Sequence, residues 1–206
     1  MTARAYIRGA GLTSFGRHEG KTTLDLMSAA ARAAMDDAGL ARVDIDGVIC
    51  GYSTTLPHLM LSSVFCEHFG LAPHYAHSVQ LGGATGLAMT ALASHLVAGG
   101  VAKNILVVAG ENRATGQSRD ASVQALAQVG HADYEVPLGA TIPAYYALVA
   151  ARYMRDHAIS EADLAEFAVL MRKHAAGHPG AHLSTPISVA EVMASKPIAS
   201  PLKLLD

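Results

Sequence analysis

The residues whose type and spacing best suit chemistry lie at Gly82-Gly83-Ala84-Thr85-Gly86, between the strand-like run Tyr75–Val79 and a small-residue stretch that continues to Gly99-Gly100. A strand feeding a glycine-rich bend and then a helix is the arrangement that presents a nucleophile, or binds an anion, at a helix N-terminus. Free backbone N–H groups and the helix dipole stabilise negative charge there. Here the central positions are Gly83 and Ala84, Thr85 is the only hydroxyl, and no adjacent base is in sight to activate it. On spacing alone the segment reads equally as a tight turn that lets a strand and a helix pack closely.

Other constellations carry less. Gly9-Ala10-Gly11 with Gly16 follows a short apolar run, but the third glycine of a dinucleotide fingerprint falls at position 14, a serine, so the segment reads as a turn. His174, His178 and His182 are spaced by four, which on a helix would align three imidazoles for a metal. Gly177, Pro179 and Gly180 break any such helix, and no metal site is expected. His131, Asp133 and Glu135 are ligand types gathered in a loop-like region. Arg172-Lys173-His174 reads first as a solvated helix end, and is the cationic cluster to test for phosphate contact. Cys50 and Cys66 form no CxxC spacing and read as packing residues.

The elements that must position these residues follow from composition and periodicity. The chain has 206 residues, 51% hydrophobic and 16% charged, which suits a packed chain with one substantial core. Its 15 basic and 17 acidic residues leave no basic field for sequence-independent nucleic-acid binding. The first residues lack an apolar signal segment, so a reducing cytoplasm is expected. No acid, lysine or arginine occurs between Glu67 and Lys103, yet histidines, Pro73 and two glycine pairs interrupt that stretch, so no membrane span is expected.

Short apolar runs alternate with helical patterns through the first half, as in a βαβ architecture. Strands are expected at Ala5-Tyr6-Ile7, Val48-Ile49-Cys50, Tyr75–Val79 and Asn104–Ala109. Helices are expected after the Thr22/Asp25 capping box up to Gly39, from Leu59 to Phe69, and after the 82–86 turn with Leu87, Ala91, Leu92 and Leu96 as the packed stripe. Four such strands predict a mostly parallel sheet covered by helices, an α/β domain over residues 1–112. Residues 113–206 read as a helical loop domain. It has an irregular excursion over 112–140, a helix from about Pro143 to His157, another from Ser160 carrying Leu164, Phe167, Leu170 and Met171, and a short one from Ser188.

With these elements in place the chain resembles the N-terminal half of the thiolase superfamily, in particular its lipid-transfer-protein thiolase-like branch. Gly83-Ala84-Thr85-Gly86, the helix to Gly99-Gly100-Val101-Ala102 and the strand to Gly110-Glu111-Asn112 resemble the family's nucleophile-bearing segment. Gly9–Gly16, Asp46-Gly47-Val48, Tyr146-Ala147-Leu148, Arg152-Tyr153-Met154 and Ser184–Leu202 are similar in kind. The resemblance implies a fold whose second half, with another catalytic cysteine, a histidine motif and the last strand of the first sheet, lies outside this sequence.

It also implies a departure. Where a working thiolase carries its acyl-accepting cysteine stands Gly83, which cannot form a thioester, so Cys-dependent condensation is excluded at that position. What remains is an oxyanion role for Gly82, Gly83, Ala84 and Thr85 toward an acyl-CoA carbonyl. The implied ligand is a coenzyme A thioester, with no covalently bound cofactor, and Arg172, Lys173 and His174 are the candidates for its phosphates. Relatives lacking this cysteine include retro-aldol lyases that work with a small zinc-ribbon/OB-fold protein. The expected function is therefore part of a protein that binds and processes an acyl-CoA or lipid thioester, acting in C–C cleavage or acyl transfer and inactive by itself, or a non-catalytic acyl-CoA- or lipid-binding or scaffolding subunit. The apolar strand near Asn104–Ala109, with no partner beyond it, predicts association as a homodimer or with a C-terminal half.

Overall fold

The computed structural model describes residues 4–139 and 141–206. Helix α1 (Thr23–Ala38) starts where its side chains dictate. The Thr22 hydroxyl accepts the Asp25 N–H at 3.1 Å and the Asp25 carboxylate accepts the Thr22 N–H at 2.8 Å, a closed capping box. Gly39, at φ 66°, takes the left-handed conformation that ends the helix. Leu26, Met27, Ala31 and Met35 form its buried stripe. Strand β1 (Gly47–Gly51) is buried at all five positions, as a strand covered on both faces must be. Helix α2 (Leu61–Phe69) stops at Gly70, again left-handed. Strand β2 (Tyr75–Val79), helix α3 (Thr85–Ala98) and strand β3 (Ile105–Val108) complete the unit.

The sheet is parallel with order β2-β1-β3, Gly47 pairing with Tyr75 on one side and Ile105 on the other. Alternation along the strands divides the core. Val48, Cys50, Leu106 and Val108 meet Met27, Ala31, Leu61, Phe65 and Phe69 of α1 and α2, and α3 packs on the same strands through Met89 and its neighbours. The apolar strand β3 has β1 on one side and no strand on the other among the described residues.

Three expectations need correction. Residues 5–7 form no strand; Tyr6 and Ile7 are exposed, and the segment is held to α1 instead. The Ala10 N–H donates to Asp37 Oδ2 at 2.9 Å. Gly9-Ala10-Gly11 is not a turn but a close approach: a Cβ on Gly11 would lie 2.3 Å from the Ala34 nitrogen and 2.4 Å from the Ala30 oxygen. Gly11→Ala is therefore expected to prise this segment from α1 and cost about 1–3 kcal/mol, read as faster amide exchange of residues 8–12 and a lower urea midpoint. Second, the packed stripe of α3 is not Leu87-Ala91-Leu92-Leu96. Thr85 and Met89 are buried, Leu92 and Leu96 are half-buried, and Leu87 and Ala91 are exposed. The helix is apolar nearly all round, so periodicity has no contrast to read.

Third, the stretch 112–140 is not irregular throughout. It holds α4 (Arg113–Gly116) and α5 (Arg119–Ala127). The 119–127 run contains neither glycine nor proline and carries three alanines and a leucine, all good helix formers. The chain divides into two compact units, one through Ser118 and one from Arg119. Helix α4 belongs to the first, where the His18 N–H donates to Thr115 Oγ1 at 2.8 Å.

The second unit contains α6 (Ile142–His157), α7 (Glu161–Ala176) and α8 (Val189–Ala194), then an antiparallel ribbon of β4 (Pro197–Ala199) and β5 (Leu202–Lys203). Capping boxes Ser160/Asp163 and Ser188/Glu191 open α7 and α8. The buried residues are small, Ala147 on α6, Ala165 on α7 and Val192 on α8, whereas Phe167, Leu170 and Met171 are exposed.

Candidate functional site

In a parallel sheet every strand ends on the same side, so the residues following β1, β2 and β3 converge on one edge, where open α/β folds place their ligands. The segment after β2 is the 82–86 turn. Gly82, at φ 53°, takes a left-handed conformation that glycine alone enters cheaply, and Gly82–Ala84 make one 3-10 turn leading directly into α3. The Thr85 hydroxyl locks the bend, donating to the Gly82 carbonyl at 2.7 Å and accepting the Leu81 N–H at 3.0 Å. That hydroxyl is buried and committed, which leaves it a structural part, not a nucleophile.

The donors of the turn are unequally available. The Ala84 N–H donates to the Leu81 carbonyl at 3.1 Å and the Thr85 N–H to the Gly82 carbonyl. Among the described residues, the Gly82 and Gly83 N–H groups meet no acceptor. Gly83 is exposed, and a Cβ built on it meets nothing within 4 Å. The turn thus presents two adjacent free main-chain donors at the N-terminus of a 14-residue helix, with open space in front of Gly83. Such a place stabilises a carbonyl oxygen that is gaining charge.

Neither cysteine supplies the missing sulfur. Cys50 is wholly buried in β1, and burial pushes its thiol up to about 12; burial also raises the thiol of Cys66. Both remain protonated and packed. Arg172, Lys173 and His174 occupy the last two turns of α7. The Arg172 guanidinium donates to the Thr185 carbonyl at 3.1 Å, and Lys173 and His174 are exposed where a helix C-terminus favours positive charge.

Sequence reasoning passed over the network that fixes this edge. Glu111, just beyond β3, accepts the Thr54 N–H at 2.6 Å, the Thr55 N–H at 3.2 Å, the Thr55 hydroxyl at 2.9 Å and the Ser53 hydroxyl at 3.3 Å. The Arg113 guanidinium donates to the Thr54 hydroxyl. The loop after β1 is thereby tied to the end of β3. The available signal was a lone acid closing the most apolar strand of the chain, beside a Ser-Thr-Thr run.

Desolvation alone raises the Glu111 carboxyl, but the donors from Thr54 and Thr55 outweigh it and hold the group below its ordinary value. A lowered folded value means stability that is present above the unfolded pKa, about 4.3, and lost as pH falls through the folded value. Glu111→Gln is expected to cost about 1–2 kcal/mol at pH 7, since the carboxylate is partly solvated. The gap between the two proteins should close when urea unfolding is repeated near pH 3.

Comparisons with known proteins point to one family. Residues 5–191 match the thiolase N-terminal domain. The chain is 28% identical over 201 residues to an acetyl-CoA acetyltransferase of Methanothermobacter thermautotrophicus, covering 96% of this chain and 52% of the relative. It is 30% identical over 215 residues to the 17-hydroxy-3-oxo-4-pregnene-20-carboxyl-CoA lyase of Mycobacterium tuberculosis, covering 100% of this chain and 54% of the relative. Among solved structures, the Ltp2–ChsH2 aldolase superposes with a TM-score of 0.76 at 29% identity, over 97% of this chain and 51% of that one. The chain spans about half the length of the curated relatives it matches. A parallel α/β unit with a glycine-rich turn feeding α3, matched over most of its length, places the chain in the thiolase family, as an N-terminal thiolase domain.

Proposed function

We propose that this chain is the acyl-CoA-carbonyl-binding half of a thiolase-fold C–C lyase that works without a cysteine at position 83. One observation carries the reading: the Gly82 and Gly83 N–H groups meet no acceptor among the described residues, and the space a cysteine side chain would fill is empty. A thioester carbonyl seated there receives two main-chain hydrogen bonds, each worth a few kcal/mol as the oxygen gains charge. For a β-hydroxyacyl-CoA the retro-aldol step balances without a nucleophile. A base takes the β-hydroxyl proton, the Cα–Cβ bond breaks as a carbonyl forms at Cβ, and its electron pair moves into the thioester as an enolate. The enolate oxygen rests on the two donors until a proton returns to Cα.

The proton-transfer groups belong to the complementary half, and a small zinc-ribbon/OB-fold protein is the proposed further partner. The relatives named as a CoA lyase and an aldolase support this direction. The test has two stages. Calorimetry with the purified chain and its complementary half should show saturable acyl-CoA binding. Release of an aldehyde or ketone from a β-hydroxyacyl-CoA should then follow. Binding without cleavage would make the chain an acyl-CoA-binding subunit, and the absence of binding would overturn the proposal.

A further inference from the structure

A second cleft lies along α1, away from the 82–86 turn. It encloses about 540 Å³, and its lining includes Ser28, Arg32, Arg42, Phe69, Lys21 and His68. The two arginines come from different elements, Arg32 from α1 and Arg42 from the short turn before β1, yet both lie over one ring. The Arg42 guanidinium carbon is 4.6 Å and that of Arg32 5.8 Å from the Phe69 centroid. Phe69 is 4% exposed, so the ring is a fixed floor. Among the described residues, neither guanidinium pairs with a carboxylate or donates a hydrogen bond to protein. Two like charges are therefore gathered over one apolar surface without an anion to neutralise them.

An independent observation lies at the same place. The Ser28 hydroxyl is buried and has no hydrogen-bond partner among the described residues, and Ser28 lines this cleft one helical turn before Arg32. An unmade buried hydrogen bond is costly and invites a ligand atom. Lys21 adds positive charge nearby, and the His68 ring lines the same cleft. The carboxylate in the lining, Asp25, is already committed to Thr22 and to His68 at 3.8 Å. It stands three residues before Ser28 and seven before Arg32, about 5 and 10 Å along the helix axis, so the two arginines must outweigh its charge at the Ser28 end of the cleft.

We propose that this cleft binds a phosphate dianion, free or as a phosphomonoester, held between the forks of Arg32 and Arg42 with the Ser28 hydroxyl donating a third hydrogen bond. Planar guanidinium forks match pairs of oxygens on a tetrahedral anion, which the compact point charge of an ammonium does not. The site is independent of the turn at Gly83, so it can succeed or fail whatever the fate of the acyl-CoA reading.

The test is an amide chemical-shift titration of the full chain with inorganic phosphate, and in a second arm with glycerol 3-phosphate, each against sodium chloride of matched ionic strength. Saturable shifts at Ser28, Arg32 and Arg42 are expected. The tighter of the two ligands identifies the source as free ion or ester. Arg32→Gln and Arg42→Gln should each weaken binding at least about tenfold, and Ser28→Ala several-fold. Arg17→Gln, at an exposed residue that pairs with Glu19 outside the cleft, should leave binding unchanged. Arg42→Lys keeps the charge and loses the fork, so it should also bind several-fold more weakly. Non-saturable shifts, or wild-type affinity in Arg42→Lys, would overturn the proposal.

Discussion

Gly83→Cys is expected to create a chain with one fast-reacting thiol beside two silent ones. The substitution is sterically free, because a Cβ at this position meets nothing within 4 Å and the backbone lies outside the left-handed region that only glycine tolerates. Folding stability should therefore change by no more than about 0.5 kcal/mol. The introduced sulfur would sit at the N-terminus of α3, where the dipole and the free N–H groups favour a thiolate and lower its pKa below the ordinary 8.5 or so. Cys50, pushed up to about 12 by burial, is ionised to about one part in 10⁵ at pH 7. Cys66 is raised by the same cause and is 7% exposed.

Iodoacetamide at pH 7 should then label one equivalent of thiol at least about 10³ times faster than the remaining two, with full labelling only in denaturant. Acyl-CoA, if it seats on the turn, should protect that thiol in proportion to its occupancy. An introduced thiol that reacts no faster than Cys66 would mean that the turn is closed in solution, and the acyl-CoA proposal would fall with it.

How far this site was legible from residues alone can be judged element by element. Capping boxes are local chemistry: Thr22/Asp25, Ser160/Asp163 and Ser188/Glu191 each carry both partners within four residues, and each opens a helix in the structure. The glycine stops at Gly39 and Gly70 were equally readable, and so were the strands: β1 is buried at every position and reads as an apolar run, β3 is apolar throughout, and β2, only partly buried, reads as a short extended segment between Pro73 and the glycine-rich turn. What could not be read depends on distance through space. Gly11 touches α1 at Ala30, Ala33 and Ala34, about twenty residues later in the chain, and nothing near it in sequence separates a close approach from a turn. The Glu111 network joins residues 56 to 58 apart. At the turn the helix N-terminus was legible, but not which amides it leaves free. That depends on the Leu81 carbonyl folding back on Ala84, which shifts the available donors to Gly82 and Gly83.

Phe65→Ala is the substitution expected to cost most stability, and it separates the two faces of the sheet. Phe65 is wholly buried on α2 and stacks on Phe69 at 5.4 Å with the rings 15° apart. Truncation removes the transfer energy of the ring and leaves a cavity that the rigid strands of β1 and β3 cannot collapse to fill, a loss of about 3–5 kcal/mol. A unit of this length holds about 6–18 kcal/mol in all, so the urea midpoint should fall steeply while the slope stays unchanged. Phe65→Leu, which keeps most of the volume, should recover all but about 1–1.5 kcal/mol. The loss is confined to the face that α1 and α2 share with Val48 and Cys50, whereas α3 rests on the sheet through Met89. In native buffer, a Phe65→Ala/Gly83→Cys double variant should therefore label as fast as Gly83→Cys alone. Phosphate affinity at Arg32 and Arg42 should drop in Phe65→Ala, because the Phe69 floor beneath both guanidiniums loses its support. Equal loss at both places would mean that the sheet transmits the cavity from one face to the other, and the separation of the two sites would fail.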